Sequence, residues 1–175
     1  MEKKLEGILQ VVFSIAIAAA VLYFSDDIAG LGAYGYAGAF IISLLSSATI
    51  IFPAPGWAVV VAMSATLDPL LLGLTAGVGS AIGELTGYAA GEGVRELMDG
   101  RIRESRKIEK LVEEYGMAGI FLLALVPNPL FDIAGITAGG LRIPWWRYLA
   151  ACAAGRVLRY TILAMLGQWT IGLLT

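Results

Sequence analysis

Long apolar stretches separated by short polar breaks dominate the chain, rather than a fine alternation of apolar and polar positions. Leu5 to Phe24 is the first stretch, closed by Ser25-Asp26-Asp27. A spanning helix needs roughly 20 mostly apolar residues, so this run predicts an N-terminal transmembrane helix. Lys3 and Lys4 ahead of it also fit a signal peptide. The length of the run and its ending in two aspartates, not in a small-x-small cleavage site, predict a retained anchor. A second stretch, Ile28 to Phe52, runs into Pro53-Ala54-Pro55-Gly56, where two backbone donors are missing and no ordinary helix continues. Gly56 to Leu67 resumes as an arm of about 12 residues, too short to span, and ends at Asp68-Pro69. Two short arms flanking a Pro-rich tip predict a re-entrant hairpin, which enters and leaves the bilayer by one face. Leu70 to Gly91 follows as a full span rich in Gly, Ala, Ser and Thr, residues that permit close helix packing.

The pattern then changes. From Glu92 to Tyr115, apolar positions such as Val94, Leu97, Met98, Ile108, Leu111 and Val112 recur at three- and four-residue spacing among charges. This predicts an amphipathic helix at the membrane surface, with a break at Gly100. Gly116 to Val126 is a further short apolar arm, Pro127-Asn128-Pro129 a second tip, and Leu130 to Leu141 the returning arm before Arg142. The last helix, Pro144 to about Leu174, is long enough to span with tilt or to bend near Gly167. The expected fold is all-α and polytopic: a single membrane domain over 1–175. Its first repeat is 28–91 (tip 53–56, spanning helix 70–91), its cytoplasmic amphipathic helix 92–115, and its second repeat 116–174 (tip 127–129, spanning helix 144–174).

Two order-preserving matches support the repeat. Pro53-Ala54-Pro55 matches Pro127-Asn128-Pro129 at a spacing of 74, and Gly83-Glu84-x3-Tyr88 matches Gly155-Arg156-x3-Tyr160 at a spacing of 72. The basic residues set the orientation: Lys3, Lys4, the six Lys/Arg between Arg95 and Lys110, Arg142 and Arg147 belong on the cytoplasmic face. Threading the chain this way inverts one half relative to the other. Inverted repeats with broken helices meeting near the midplane are a transporter architecture, because exchanging the conformations of equivalent halves exposes one central site to alternate faces. The simpler reading is two Pro-kinked stretches in an ordinary bundle.

Composition sharpens this picture. Hydrophobic residues make up 58% of the 175-residue chain and charged ones 15%, more apolar surface than a soluble domain of this size buries. Half of the charges fall between Glu92 and Glu114, so that segment lies in water. With no histidine, imidazole zinc sites and Ser-His catalysis are excluded; no metal and no cofactor are expected. The lone Cys152, among apolar neighbours, reads as a packed small residue.

Against this background the charges inside the predicted spans stand out. Glu84 lies about 15 residues into one span and Arg156 about 12 into the oppositely directed one, so at ~1.5 Å per residue both approach mid-bilayer. Arg159 and Asp132 are close to the same depth. An unpaired charge there costs from ~2.5 to well over 10 kcal/mol, so these groups are expected to face one another or a hydrated cavity. Arg156 and Arg159 share a helix face and suit a phosphate or two carboxylates. The candidate substrate or ion site is therefore Glu84, Asp132, Arg156, Arg159 and Asn128, with Pro53, Pro55, Gly56, Pro127 and Pro129 forming the hairpin tips around it. The structural alternative is a cluster of ion pairs that fixes helix register. Trp57, Trp145, Trp146 and Trp169 read as interface anchors or packing, and Tyr88 and Tyr160 as helix packing.

Taken in order, the Pro-rich hairpin, Gly83-Glu84-x3-Tyr88-x2-Gly91, the charged helix, the second Pro hairpin closing on Ala138-Gly139-Gly140-Leu141-Arg142, and Gly155-Arg156-x2-Arg159-Tyr160 resemble the DedA/VTT superfamily, also called SNARE-associated Golgi protein domains, nearest the YqaA-like branch. The resemblance covers roughly Leu44 to Gly167. It implies two oppositely oriented re-entrant hairpins and a role in lipid translocation, with Glu84 and the second-half arginines as the functional charges. Two positions depart from the family pattern: Trp57 stands where an acid often follows Pro-Gly, and Ala124 to Leu130 replaces an Arg-Phe-x-Pro-x2-Arg motif.

The leading expectation is a non-enzymatic translocase of a lipid or lipid-phosphate headgroup. Its partners would be membrane lipids, an anionic lipid phosphate, protons and a second copy of the chain, with no nucleic acid. The alternatives are a proton-coupled carrier of a small solute, and a structural protein that docks partners through Arg95 to Glu114. An enzyme is the least favoured, since Glu84 and Asp132 fit no hydrolase spacing. The expected location is the cell membrane, with the N-terminus and 92–115 in the cytoplasm.

Overall fold

The computed structural model describes residues 33–48, 56–94, 105–126, 130–141 and 143–173. The predicted first helix at 5–24, Pro53, Pro55, Pro127, Asn128, Pro129, Arg142 and the predicted break at Gly100 lie outside them. The described residues form α1 (Ala33–Ala48), α2 (Gly56–Met63), α3 (Pro69–Gly83), α4 (Leu85–Val94), α5 (Ser105–Leu125), α6 (Leu130–Gly140) and α7 (Trp145–Gly172); no strand occurs among them.

Two helical stretches are long and apolar enough to cross a membrane, Pro69–Glu92 and Trp145–Gly172. At ~1.5 Å per residue each exceeds a ~30 Å hydrocarbon core. The first starts where the sequence stops an extended segment: Asp68 caps α3 by accepting hydrogen bonds from the backbone N–H groups of Leu70 and Leu71, both at 3.0 Å, with Pro69 in the first turn. The predicted span 70–91 falls within Pro69–Glu92, where α3 passes into α4 through Glu84, itself in helical conformation (φ −65°, ψ −17°). The last helix is continuous from Trp145 to Gly172, without a bend at Gly167. The predicted junction between surface helix and second-half arm falls at Gly116, whose backbone (φ 53°, ψ −127°) kinks α5. That left-handed conformation favours glycine.

Glycines set the helix packing. On α3, Gly73 lies against Thr161 and Gly77 against the Val157 backbone, where an added Cβ would sit 2.5 Å from its Cα. Residue numbers rise on α3 as they fall on α7, so the two spans are antiparallel. The other face of α3 receives α1: Gly79 meets the Phe40 carbonyl and Gly83 the Leu44 carbonyl, so α1 and α3 run parallel. The Tyr36 hydroxyl near the start of α1 accepts a hydrogen bond from the Asp68 backbone N–H at 3.0 Å. By the start of α3 the chain has thus returned to the level at which α1 began. In the second half, α6 runs parallel to α4, with Gly135 beside the Glu84 carbonyl and Gly139 beside the Glu92 backbone N–H. Helix α5 packs on α7 through Gly155, and α2 on α7 through Gly167.

The buried interior is correspondingly small-chained. Ala39, Val60, Leu72, Ala76, Tyr160 and Ala164 form one cluster, and Tyr88, Ile120, Ala134, Ala138 and Tyr148 another. The outward faces are apolar: Leu158, Ile162, Met165, Leu166 and Trp169 form an exposed stripe at helical spacing along α7, and Leu70, Leu71, Leu74 and Ile82 are exposed on Pro69–Glu92. Apolar outside and small or polar inside is the pattern of a bundle solvated by lipid.

Candidate functional site

Glu84 joins α3 to α4, and the helical backbone bonds continue across it: its N–H donates to the Ser80 carbonyl at 3.1 Å, and its own carbonyl accepts from the Tyr88 N–H at 3.2 Å. The side chain projects toward α7, two turns beyond Gly77. Facing it is Arg156, one residue after Gly155, whose missing side chain lets α5 approach to where a Cβ would meet the Phe121 carbonyl at 2.6 Å. Arg156 Nη2 donates to Glu84 Oε1 in an ion pair. The two residues are only 5% and 7% exposed, so each charge depends on the other for its solvation.

The guanidinium has a second contact. The Phe131 ring, buried in the first turn of α6, lies 4.5 Å from Arg156 Cζ, within the range of a cation–π interaction. Tyr88 and Tyr148 close the site below, stacked with centroids 5.3 Å apart, and the Tyr88 hydroxyl donates to the Ile143 carbonyl at 2.5 Å. Cys152 is buried one turn before Arg156.

Arg156 is satisfied only in part. Its Nε is buried without an acceptor, and so is the Nε of Arg159, three residues further on α7. No carboxylate pairs with Arg159 among the described residues. The described cluster thus holds two guanidinium groups and one carboxylate at the depth where the spans cross. Such a surplus of donors and positive charge accepts an anion, and the two-residue fork suits a phosphate better than a point charge.

Of the residues singled out from the sequence, the fold brings Glu84, Arg156 and Arg159 together. Asp132 lies in the first turn of α6, and its side chain is outside the described set. Gly56 opens α2 and is buried, with room for no side chain beyond Ser46 Oγ, 3.0 Å from an added Cβ. Trp57, Trp145, Trp146 and Trp169 are all at least half exposed, whereas Tyr88 and Tyr160 are core residues. Sequence reasoning passed over Phe131, an aromatic two residues after the second tip. It also passed over the buried hydroxyls Ser43 and Ser80 and the half-buried Ser47, visible as four-residue spacings before Glu84 and within the second stretch.

Comparison with known proteins places these features in a family. The VTT domain model matches residues 52–169, about two thirds of the chain, including every described element from α2 to α7 apart from the last three residues of α7. Vacuole membrane protein 1 of Homo sapiens is 32% identical over 104 residues, covering 47% of this chain and 26% of its own length. The Dictyostelium discoideum homologue is 41% identical over 56 residues (32% of this chain, 14% of its own). Vacuole membrane protein KMS1 of Arabidopsis thaliana is 46% identical over 39 residues (22% and 9%). The aligned region thus spans at most 26% of the length of these relatives. No solved structure matches. The helical spans, the buried charge pair and the domain match agree: the chain is a membrane protein of the VTT domain family.

Proposed function

We propose that this protein translocates a lipid or lipid-phosphate headgroup through a polar site between two re-entrant hairpins related by inverted repetition. The observation that carries the reading is the buried Glu84–Arg156 ion pair with Arg159 beside it and two guanidinium Nε groups lacking acceptors. A pair kept only for helix register has no use for a second arginine that finds no carboxylate among the described residues.

The hairpin reading is supported by the parallel course of α1 and α3 and by the Tyr36–Asp68 hydrogen bond. If α3 crosses the bilayer, α1 enters from the same face and α2 returns to it. The repeat is supported by equivalent packing. A Cβ on Gly83 meets the Leu44 carbonyl, Ser47 Cβ and Ala48 N; one on Gly155 meets the Phe121 carbonyl, Ala124 Cβ and Leu125 N. Each span glycine touches a carbonyl at i, a Cβ at i+3 and an N at i+4 of the arm that precedes it. Further along, Gly91 meets the Ile136 carbonyl and Gly167 the Val61 carbonyl, each on the returning arm of the other half. Glu84 and Arg156 are thereby matched positions that pair with one another across the centre.

In this mechanism the headgroup phosphate competes with Glu84 for the guanidinium groups, while the acyl chains stay in lipid along the exposed apolar faces of α3 and α7. No bond is made or broken, and the protein is not an enzyme. On this reading the positive charges at 95–110 and the N-terminus face the cytoplasm, with the chain in the cell membrane. A proton-coupled carrier of a small solute would use the same carboxylate but needs a cavity closed to lipid.

Reconstitution into liposomes with fluorescent phospholipid and polyprenyl-phosphate analogues tests the proposal. Movement between leaflets that Glu84→Gln and Arg156→Ala abolish is the expected result. Folded protein that moves no lipid, or variants that move lipid at the parental rate, overturns it.

A further inference from the structure

Besides the charge pair, the membrane-depth interior contains a line of hydroxyls between α1 and α3. Ser47 Oγ and Ser80 Oγ are 2.7 Å apart, and either is able to donate. Ser43, one turn before Ser47, is completely buried, and its hydroxyl has no hydrogen-bond partner. Ser80, also completely buried, lies one turn before Glu84 on α3. A buried hydroxyl without a partner costs roughly 1–3 kcal/mol, and such groups in folded proteins are ordinarily satisfied by ordered water. The Ser47–Ser80 pair has the complementary need: one hydroxyl of the two donates within the pair, and the hydrogen of the other requires an acceptor. Gly79 and Gly83 bring the α1 backbone close on either side, so the seam is narrow, and Ser47 and Ser80 put two oxygens into it.

We propose that this seam holds a buried water site, enclosed by Ser43, Ser47 and Ser80, that delivers protons to Glu84 from the α1 side of α3. Helix α7 and Arg156 reach Glu84 from the other side. The proton passes from a hydrated proton in the seam to the Glu84 carboxylate, leaving water and a neutral carboxylic acid; the charge that holds Arg156 is removed and the guanidinium is free for a headgroup phosphate. Arg156, Arg159 and Cys152, all on α7, are titratable groups that act on Glu84. Tyr148 and Tyr160 act in turn on Arg156. Helix α1 contributes no ionisable group to this contact, only hydroxyls. The water site stands on the serines alone, whereas its role rests on the reading of Glu84 as part of the transport path.

Water-edited solid-state NMR on the full chain, labelled at Ser, Ala and Glu and reconstituted in bilayers, tests it. Magnetisation from water is expected to build up several-fold faster at Ser43 and Ser80 than at Ala39, which is equally buried but has no polar atom to hold water. Ser43→Val fills the site and should remove the fast build-up at Ser80 and delay titration of the Glu84 carboxyl carbon; Ser43→Thr, which keeps the hydroxyl, should restore both. Build-up at the serines as slow as at Ala39 overturns the water site, as does fast build-up at Ser80 that survives Ser43→Val. An unchanged Glu84 titration in Ser43→Val overturns the delivery role. None of these readouts depends on lipid movement, so failure of the seam and failure of the translocase reading are separable.

Discussion

The first half (33–94) and the second (116–172) solve one packing problem with the same glycines and opposite charges. Gly83 and Gly155 admit the preceding arm in the same atomic pattern, and Gly91 and Gly167 admit the returning arm of the other half. Yet the residue after the first of these glycines is an acid in one half and an arginine in the other. The aromatic two residues after the tip is half exposed in the first half, as Trp57, and buried against Arg156 in the second, as Phe131. Shared glycines impose a common backbone scaffold; the differences fall where the halves meet, at the Glu84–Arg156 pair.

The most severe way to break the comparison is to remove one member of the central pair. Glu84→Ala or Arg156→Ala leaves a buried uncompensated charge and should destabilise the protein by about 3–5 kcal/mol, while Glu84→Gln, which keeps volume and hydrogen-bonding atoms, should cost less. Because the two positions are matched, the exchange Glu84→Arg with Arg156→Glu should recover more than half of the loss of either charge-reversal single variant. Thermal unfolding in detergent measures both. An exchange variant no more stable than the single ones would show that the site is not symmetric at its centre.

Next come the matched glycines. Gly83→Val and Gly155→Val each push a branched side chain into a backbone carbonyl, and overpacking of this kind costs about 1–3 kcal/mol or more. The expected losses are equal within about 0.5 kcal/mol, the spread with which independent sites add. A loss confined to one half would break the equivalence of the two packing surfaces.

How much of this was legible in the sequence follows from which physical signal each feature leaves. The spans, the arms and the junction at Gly116 were visible because lipid solvation and surface exposure write themselves as runs of apolar or charged residues. Glu84 and Arg156 were visible because a charge in an apolar run is costly wherever it points. Their direct pairing follows only from the register in which Gly73 and Gly77 seat α3 on α7, and no local pattern specifies that register. Phe131 was passed over because an aromatic in an apolar arm is commonplace, and only its 4.5 Å approach to a guanidinium distinguishes it. The serines read as small packing residues, as most of them are.

The asymmetry of the post-tip aromatics gives a smaller effect. Phe131→Leu preserves bulk and removes the ring over Arg156, an interaction worth about 0.5–2 kcal/mol depending on desolvation, and Phe131→Tyr should retain it. Trp57→Leu, at a half-exposed position, should change stability by less than about 0.5 kcal/mol. In the liposome assay, Phe131→Leu should raise the lipid concentration needed for half-maximal movement more than it lowers the maximal rate, because it loosens the binding group and leaves the path intact.

The smallest effect separates the two tyrosines of the repeated motif. Tyr88 and Tyr160 occupy matched positions and are both buried, at 6% and 4% exposure, so loss of either ring should be equally damaging. Their hydroxyls differ. Tyr88 donates to the Ile143 carbonyl at 2.5 Å and so ties the end of the first span to the start of the last helix, whereas among the described residues no hydrogen bond involves the Tyr160 hydroxyl. Tyr88→Phe strands a carbonyl and should cost about 0.5–1.5 kcal/mol; Tyr160→Phe should be neutral within a few tenths of a kcal/mol. Paired thermal unfolding of the two variants checks this. Equal losses would mean that the hydroxyl bond adds nothing beyond the shared ring packing, and that the join between α4 and α7 is held by side-chain volume alone.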